Sequence, residues 1–391
     1  MINKFLKQFS SFKMKKRSLL LLLFIFSAEA IELPKNLRTP KSKSHLKMIL
    51  KRMKKKEMET KLRDFVKCCR PSRIVGSSGH KDVVPFLINQ VKKADTKNTG
   101  ILIVDQFKPD VLHAMELYQE DFKRKIEGKY PPTDPQYKKW KEFTDSMVKA
   151  LSENQNTFGK NIIWEKKGYI DPNSVITIGA HFDTISHDKK FKKVLKTNHQ
   201  PGADDNGTGV AILLGLIEVL SEVDLPKTVR VVFFDYEEMG FLGSRAYIKK
   251  YKDQMKKQKF AGYINLEMLG HDSKRLDKKK RLGNFKAYIR TPENSGHSLD
   301  KSFYKRLDQG GSEMTSKVKF ELDPNGFDSS DHINFWAEGH AAVTFTQNWE
   351  EDLNPRYHTK NDFVETLNLK TWFASYQYIT GAVLSWAFDI L

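Results

Sequence analysis

The sequence predicts an α/β protein, a three-layer α/β/α sandwich with a mixed, mostly parallel central sheet. Short runs rich in β-branched and aromatic residues alternate with stretches of helical spacing, the pattern of strands joined by crossover helices. The runs at 174–180, 228–234, 261–266 and 341–346 are almost uniformly apolar, as strands covered on both faces must be. Three of them lead directly into histidine or acidic residues, and in open sheets of this kind ligands bind at the carboxyl ends of the strands.

Taken in order, the chain of 391 residues begins with Lys13, Lys15, Lys16 and Arg17 ahead of an unbroken apolar run over 19–26, with Ala28-Glu-Ala30 placed where a signal peptidase reads small residues. That run is too short for a lasting membrane anchor. Residues 1–30 are therefore expected to be a cleaved secretory signal, giving a secreted or periplasmic protein with no stable membrane span. Residues 31–391 are expected to form a single domain. The Pro- and Lys-rich stretch 31–57 reads as a loose arm or a helix. Helical spacing follows over 61–69 and 83–92, with Val84, Leu87 and Val91 on one face. Residues 108–160 read as an insertion, with helices over 115–123 and 140–151 separated by Pro131, Pro132 and Pro135. It is expected to be a surface excursion, with an insertion at the cleft rim that restricts substrate length as the alternative. The closing stretch 369–390 has the pattern of an amphipathic helix.

The formal net charge is +19, with lysine-rich runs at 51–56 and 278–281. Such a field favours anionic surfaces and acidic peptides. The basic residues lack the interleaved aromatics that stack nucleobases, so nucleic acid is not an expected partner. Cys68 and Cys69 are the only cysteines. A bridge between sequence neighbours would be strained, so both are expected to be thiols. No Gly-x-Ser-x-Gly, His-Glu-x-x-His, Walker or Cys-x-x-Cys pattern is present, which leaves serine and thiol mechanisms without residues.

The residues past the strand-like runs do carry a chemistry. His181, Asp204, Glu238, Glu267 and His358 are five potential metal ligands spread along the chain. Two zinc ions side by side need a bridging carboxylate to offset their repulsion, and Asp204 is the expected bridge. Each ion then needs one imidazole and one further carboxylate, which the other four residues supply. Glu237, beside a ligand without being required as one, is placed to take a proton from an attacking water and return it to a departing amine. Singly these motifs are ordinary: Asp-Asp-Asn-Gly alone is a turn with a helix cap, and an isolated histidine at a strand end is usually structural.

Their ordered set resembles a known family. His-Phe-Asp-Thr (181–184), Gly-Ala-Asp-Asp-Asn-Gly-Thr-Gly (202–209), Glu-Glu-Met-Gly-Phe-Leu-Gly-Ser (237–244), Asn-Leu-Glu-Met-Leu-Gly (265–270), Ser-Ser-Asp-His (329–332) and Asn-Pro-Arg-Tyr-His-Thr (354–359) are similar to the successive motifs of the secreted di-zinc aminopeptidases, a family that includes the glutaminyl cyclases. The resemblance implies that His181 and Glu267 hold one zinc, Glu238 and His358 the other, that Asp204 bridges them, and that Glu237 is the general base. It also implies that Asp183 accepts from the His181 imidazole and fixes its tautomer. The archetypal enzymes have Asp where this chain has Glu267.

The expected function is that of an exported zinc-dependent aminopeptidase acting on peptide or protein substrates. The alternatives are a glutaminyl-peptide cyclotransferase, which the Gly-Ala-Asp-Asp-Asn-Gly loop and Tyr357 disfavour, and an inactive binding module on the same fold. His187, His199 and His271 are expected at the solvated surface. His332 falls in a motif that the family places beside the substrate cleft, where Ser330 or Asp331 would either cap the next helix or touch substrate.

Overall fold

The computed structural model describes residues 31–187, 199–273 and 283–390. The expected signal at 1–30 and the lysine-rich run at 278–281 lie outside these. The chain starts with α1 (Lys35–Arg38), α2 (Lys43–Lys51), α3 (Lys55–Cys68) and α4 (Ser78–Ala94). Ser42 and Ser77 begin α2 and α4 by accepting the otherwise free N–H groups of His45 and His80, the usual way a helix start is satisfied. Residues 31–57 are thus not a loose arm. Leu33, Leu37, Leu46 and Ile49 are buried, and the N–H groups of Ile31 and Leu33 donate to the carboxylates of Glu218 and Glu222. Cys68 and Cys69 are bonded to each other, against the expectation of two thiols. The helix ends between them, and Cys69 leaves helical geometry (φ −123°, ψ 65°), so its side chain is freed from the helical arrangement that turns neighbours apart.

β1 (Ile101–Phe107) follows, then α5 (Val111–Phe122), a wide turn at Lys123–Glu127, α6 (Pro135–Ser152) and β2 (Gly159–Lys166). Asp134 caps α6 by accepting from the Gln136 N–H, with Pro135 in the first turn, where a missing N–H costs nothing. Next come β3 (Asp171–His181), an irregular turn at Ala203–Thr208, α7 (Gly209–Glu222), β4 (Lys227–Phe234), α8 (Leu242–Lys257) and β5 (Lys259–Leu266). The last third contributes β6 (Gly283–Tyr288), α9 (His297–Gly311), β7 (Val318–Asp323), α10 (His332–Ala337), β8 (Ala342–Gln347) and α11 (Leu369–Ala387).

The strands form one eight-stranded sheet in the order β1-β2-β4-β3-β5-β8-β6-β7. The centre, β4-β3-β5-β8, is parallel; β2 and β6 flank it antiparallel, and β7 runs parallel to β6. Alternation along each strand divides the core between two layers. Ile176 and Ile178 of β3, Val229, Val231 and Phe233 of β4, Ile264 of β5 and Val343 and Phe345 of β8 pack with the helices α3, α4, α7 and α11. Val232 and Phe234 of β4, Tyr263 of β5 and Ala342 of β8 pack with Tyr247, Ile248 and Met255 of α8 and Phe335 of α10. This is the expected α/β class, with helices over both faces.

α7 is buried along its whole length, which explains a helix composed almost entirely of Val, Ala, Ile, Leu and Gly. Parallel register brings His181 level with Phe234, and Gly179 level with Asn265. The loops after β3, β4 and β5 therefore leave the sheet at one edge.

Truncating the centre of α7 tests this packing. Leu216→Ala, at a fully buried position, is expected to cost about 2–5 kcal/mol, read as a lower denaturation midpoint in urea.

Candidate metal centre

His181 is the last residue of β3, Glu237 and Glu238 lie three and four residues past β4 in the turn that enters α8, and Glu267 directly follows β5. Asp183 organises the second of these turns. Its two carboxylate oxygens accept the N–H groups of Glu237 (3.0 Å) and Glu238 (3.1 Å). The His181 ring turns Nδ1 toward the Asp183 backbone carbonyl (3.2 Å) and the Asp183 carboxylate (3.7 Å), which directs Nε2 at the acids. From Nε2 it is 3.2 Å to Asp205 Oδ1, 3.4 Å to Glu267 Oε1 and 3.9 Å to Glu237 Oε2. On the other side His358 Nε2 lies 3.2 Å from Asp205 Oδ2 and 3.1 Å from Glu238 Oε2.

The expectation for Asp204 is corrected by this geometry. Both its oxygens face away, one accepting from the Gly270 N–H (2.7 Å) and the other from the Asn354 side-chain amide (2.7 Å). Asp205 stands between the two imidazoles instead. The cause is the backbone path: the turn leaves helical geometry at Asp205 (φ −105°, ψ 96°) and Asn206 (φ −121°, ψ 46°). Asp362 holds this path open by accepting the N–H groups of both Asp204 and Asp205. Asn206 fastens it to β5 by donating to the Leu266 carbonyl.

Arg73 closes the loop from below, donating to the carbonyls of Phe182, Pro201 and Gly202 at 2.6–2.8 Å. Gly202 sits at φ 55°, and a Cβ there would fall 2.4 Å from Thr184 and 2.6 Å from Arg73. Only glycine meets both demands.

The electrostatics follow from burial. Burial alone would lower both imidazoles. The charges of Glu237 and Glu267 instead lift His181 well above its ordinary range, and Glu238, with hydrogen bonds to Asp205 and Glu238, lifts His358 to about 9. Burial and the nearby Asp205 charge push Glu238 up to about 7. Burial raises Glu237 well above a normal carboxylate, with Glu267 and Glu238 adding to it. Asp205 moves the other way: its hydrogen bonds to His181 and His358 overcome burial and hold it below the carboxylate range. Four crowded carboxylates and two imidazoles, all with side chains at most a tenth exposed, form an oxygen and nitrogen donor set that matches a divalent cation. Two triads, His181 with Glu237 and Glu267, and His181 with Asp205 and Glu238, each bring their ligand atoms within 4.8 Å of one another.

The backbone is strained where the site is built. Among the described residues six non-glycine residues have positive φ, and Tyr236, Met268 and His358 are three of them. They precede Glu237, follow Glu267 and carry the second imidazole. Such conformations cost of order 1–3 kcal/mol each and concentrate at functional sites.

Several neighbours were not legible beforehand. His187 is buried, not at the surface. It lies against His358 (Nδ1 to Nδ1 3.3 Å), and burial drives its pKa down to about 2, so it is a neutral ring. His271 is largely covered and faces Asp352 at 3.4 Å, whereas His199 is exposed as expected. Ser330 donates to Glu267 Oε2 (2.8 Å) and receives from Asn265, so it steadies a site residue. Asp331 precedes α10 without capping it; burial raises its carboxyl to about 8. His332 is buried and bonded to the Phe327 carbonyl. The insertion is not a surface excursion either. Val111 and Ala114 of α5 and Met147, Ala150 and Leu151 of α6 form a separate apolar cluster with Ile185, Tyr236, Met239 and Leu242, the residues that surround Glu237 and Glu238.

Comparison with known proteins identifies the family. Residues 161–383 match peptidase family M28, and the chain belongs to that family. Aminopeptidase YwaD of Bacillus subtilis (strain 168) is 27% identical over 233 residues, covering 58% of this chain and 45% of its own length. The chain spans about half the length of the curated relatives it matches. Among solved structures, BSAP, a zinc aminopeptidase from Bacillus subtilis, superposes with a TM-score of 0.58 at 18% identity, over 84% of this chain and 94% of that one. Porphyromonas gingivalis glutaminyl cyclase does so with a TM-score of 0.56 at 16% identity, over 84% and 97%. At these identities the structures share the fold.

The two adjacent aspartates should separate cleanly. Asp205→Asn is expected to lower bound divalent metal per chain, measured by atomic emission after dialysis. Asp204→Asn is expected to keep the metal and lose about 1–3 kcal/mol of stability through its disturbed buried hydrogen bonds.

Metal uptake must also displace protons, because Glu238 holds one below about pH 7 and His358 below about pH 9. Apparent affinity is therefore expected to fall as pH falls, by at least about tenfold from pH 8 to pH 6. Calorimetry in buffers of different ionisation enthalpy should register the released protons.

Proposed function

We propose that this chain is an exported zinc-dependent aminopeptidase that binds two zinc ions. The observation that carries the reading is the position of Asp205, with one oxygen 3.2 Å from each of the two imidazole Nε2 atoms. In this reading Asp205 is shared, His181 and Glu267 complete one site, and His358 and Glu238 complete the other. Zinc, when bound, supplies Lewis acidity toward the scissile carbonyl and lowers the pKa of water. The longer Glu267 is held in place by the Ser330 hydroxyl, which supports its use where the archetypal enzymes have Asp.

The chain's own residues account for the proton. Glu237 is not needed as a ligand, and its buried carboxylate beside the imidazole of His181 is placed to accept a proton from the attacking water and deliver it to the leaving amine. Water oxygen bonds to the carbonyl carbon as the C–N bond breaks, and the proton taken by Glu237 ends on the amine. Burial of the site residues and their concentration of carboxylates favour a chain end carrying an α-ammonium group over an internal peptide bond. Export rests on the basic and apolar pattern of residues 13–30; among the described residues no helix is long and apolar enough to cross a membrane.

The experiment pairs a short unblocked peptide with its N-acetylated twin and with a peptide beginning in glutamine. Release of free amino acid from the unblocked peptide alone is expected. Ammonia release from the glutamine peptide without free amino acid would instead establish a cyclotransferase. Glu237→Gln is expected to retain metal and to lose ~10²–10⁴ in turnover; near-normal turnover would remove Glu237 from the mechanism.

A further inference from the structure

The inserted helices approach the candidate centre from one side. α5 packs on the turn that carries Glu237 and Glu238: a Cβ placed on Gly240 would lie 3.2 Å from Ala114 and 3.8 Å from the Tyr118 ring. From Tyr118 the aromatic contacts run inward without a break. Its ring centroid is 6.2 Å from Phe143 of α6, Phe143 is 5.2 Å from His187, and His187 is 4.8 Å from His358.

Tyr118 and Phe143 are half-buried, and the Tyr118 hydroxyl makes no hydrogen bond among the described residues. Its phenol also lies within the field of Glu237 and Glu238. Both rings pack on one side against the apolar cluster of α5 and α6 and are left partly uncovered on the other. Apolar side chains with exposed faces beside a buried acidic centre are the usual lining of a small-ligand site. His187, buried between Phe143 and His358, continues that ring surface inward.

We propose that the α5–α6 insertion is a wall of the substrate site, with Phe143 limiting the size of the side chain next to the scissile bond and the Tyr118 hydroxyl donating to the substrate. The inference rests on the aminopeptidase reading and specifies its substrate selection.

The test uses the zinc-loaded, full-length protein carrying Glu237→Gln, so that dipeptides bind without turnover, and compares Phe-Ala with Ala-Ala by calorimetry. Adding Phe143→Ala is expected to shift the affinity ratio at least about tenfold toward the bulkier dipeptide. Adding Tyr118→Phe is expected to weaken both about equally, by roughly two- to tenfold. Leu117→Ala, on the exposed side of α5, is expected to change neither, and thermal melts confirm that each variant folds. A ratio within about twofold of the parent in a folded Phe143→Ala protein would overturn the wall. Release assays on the unsubstituted protein separate the two readings: cleavage of unblocked peptide with an unmoved ratio defeats only this inference. Equal cleavage of blocked and unblocked peptide defeats the aminopeptidase reading, while the ratio still decides the wall.

Discussion

Holding Asp205, Glu237, Glu238 and Glu267 together out of water is the constraint that the surrounding structure answers. Each buried carboxylate costs several kcal/mol unless it is paired, and here Asp183, Asp204, Asp331 and Asp362 are buried nearby as well. The compensation comes from many directions. Backbone N–H groups of Glu237, Glu238, Asp204, Asp205 and Gly270 point at acids. Two imidazoles take positive charge, and the Arg73 guanidinium, stacked over Phe65 at 4.4 Å, fastens the loops while its charge favours the acids around it. What remains unbalanced is negative, and a divalent cation is the species that completes it.

The same constraint explains where the backbone departs from easy geometry. A parallel sheet supplies a straight edge, and side chains at strand ends do not converge on a point unless the following turns are bent back. Tyr236, Met268 and His358 adopt left-handed conformations in those turns. The large apolar core beneath, with α7 and α11 buried almost throughout, supplies the stability that tolerates such local cost.

The four parallel strands were readable because strands covered on both faces leave uninterrupted apolar runs. β1, β2, β6 and β7 were not read, since flanking strands carry Asp105, Lys160, Lys286 and Glu321 among their apolar residues and their pattern is broken. Six of the seven residues singled out for chemistry lie at or beside the centre, because each follows a strand or sits in a distinctive motif. The exception is instructive. Asp204 and Asp205 are chemically identical neighbours, and which one faces inward is decided by two backbone residues and by Asp362, far along the chain. Likewise the burial of His187 depends on an insertion whose packing is tertiary. Nothing in the local sequence around it signals Phe143.

The grip of Asp362 on the N–H groups of Asp204 and Asp205 has a consequence for timing. During synthesis the chain emerges from its N-terminus, so the loop bearing Asp205 is made long before the segment that shapes it, and His358 arrives in that same late segment. The contacts joining them close loops of 157 and 158 residues, an entropic cost that the contacts within the finished fold must offset. A site of this design stays incomplete in every nascent or truncated chain ending before residue 358. The order of the sequence itself thus keeps this acidic centre disassembled until the fold around it is finished.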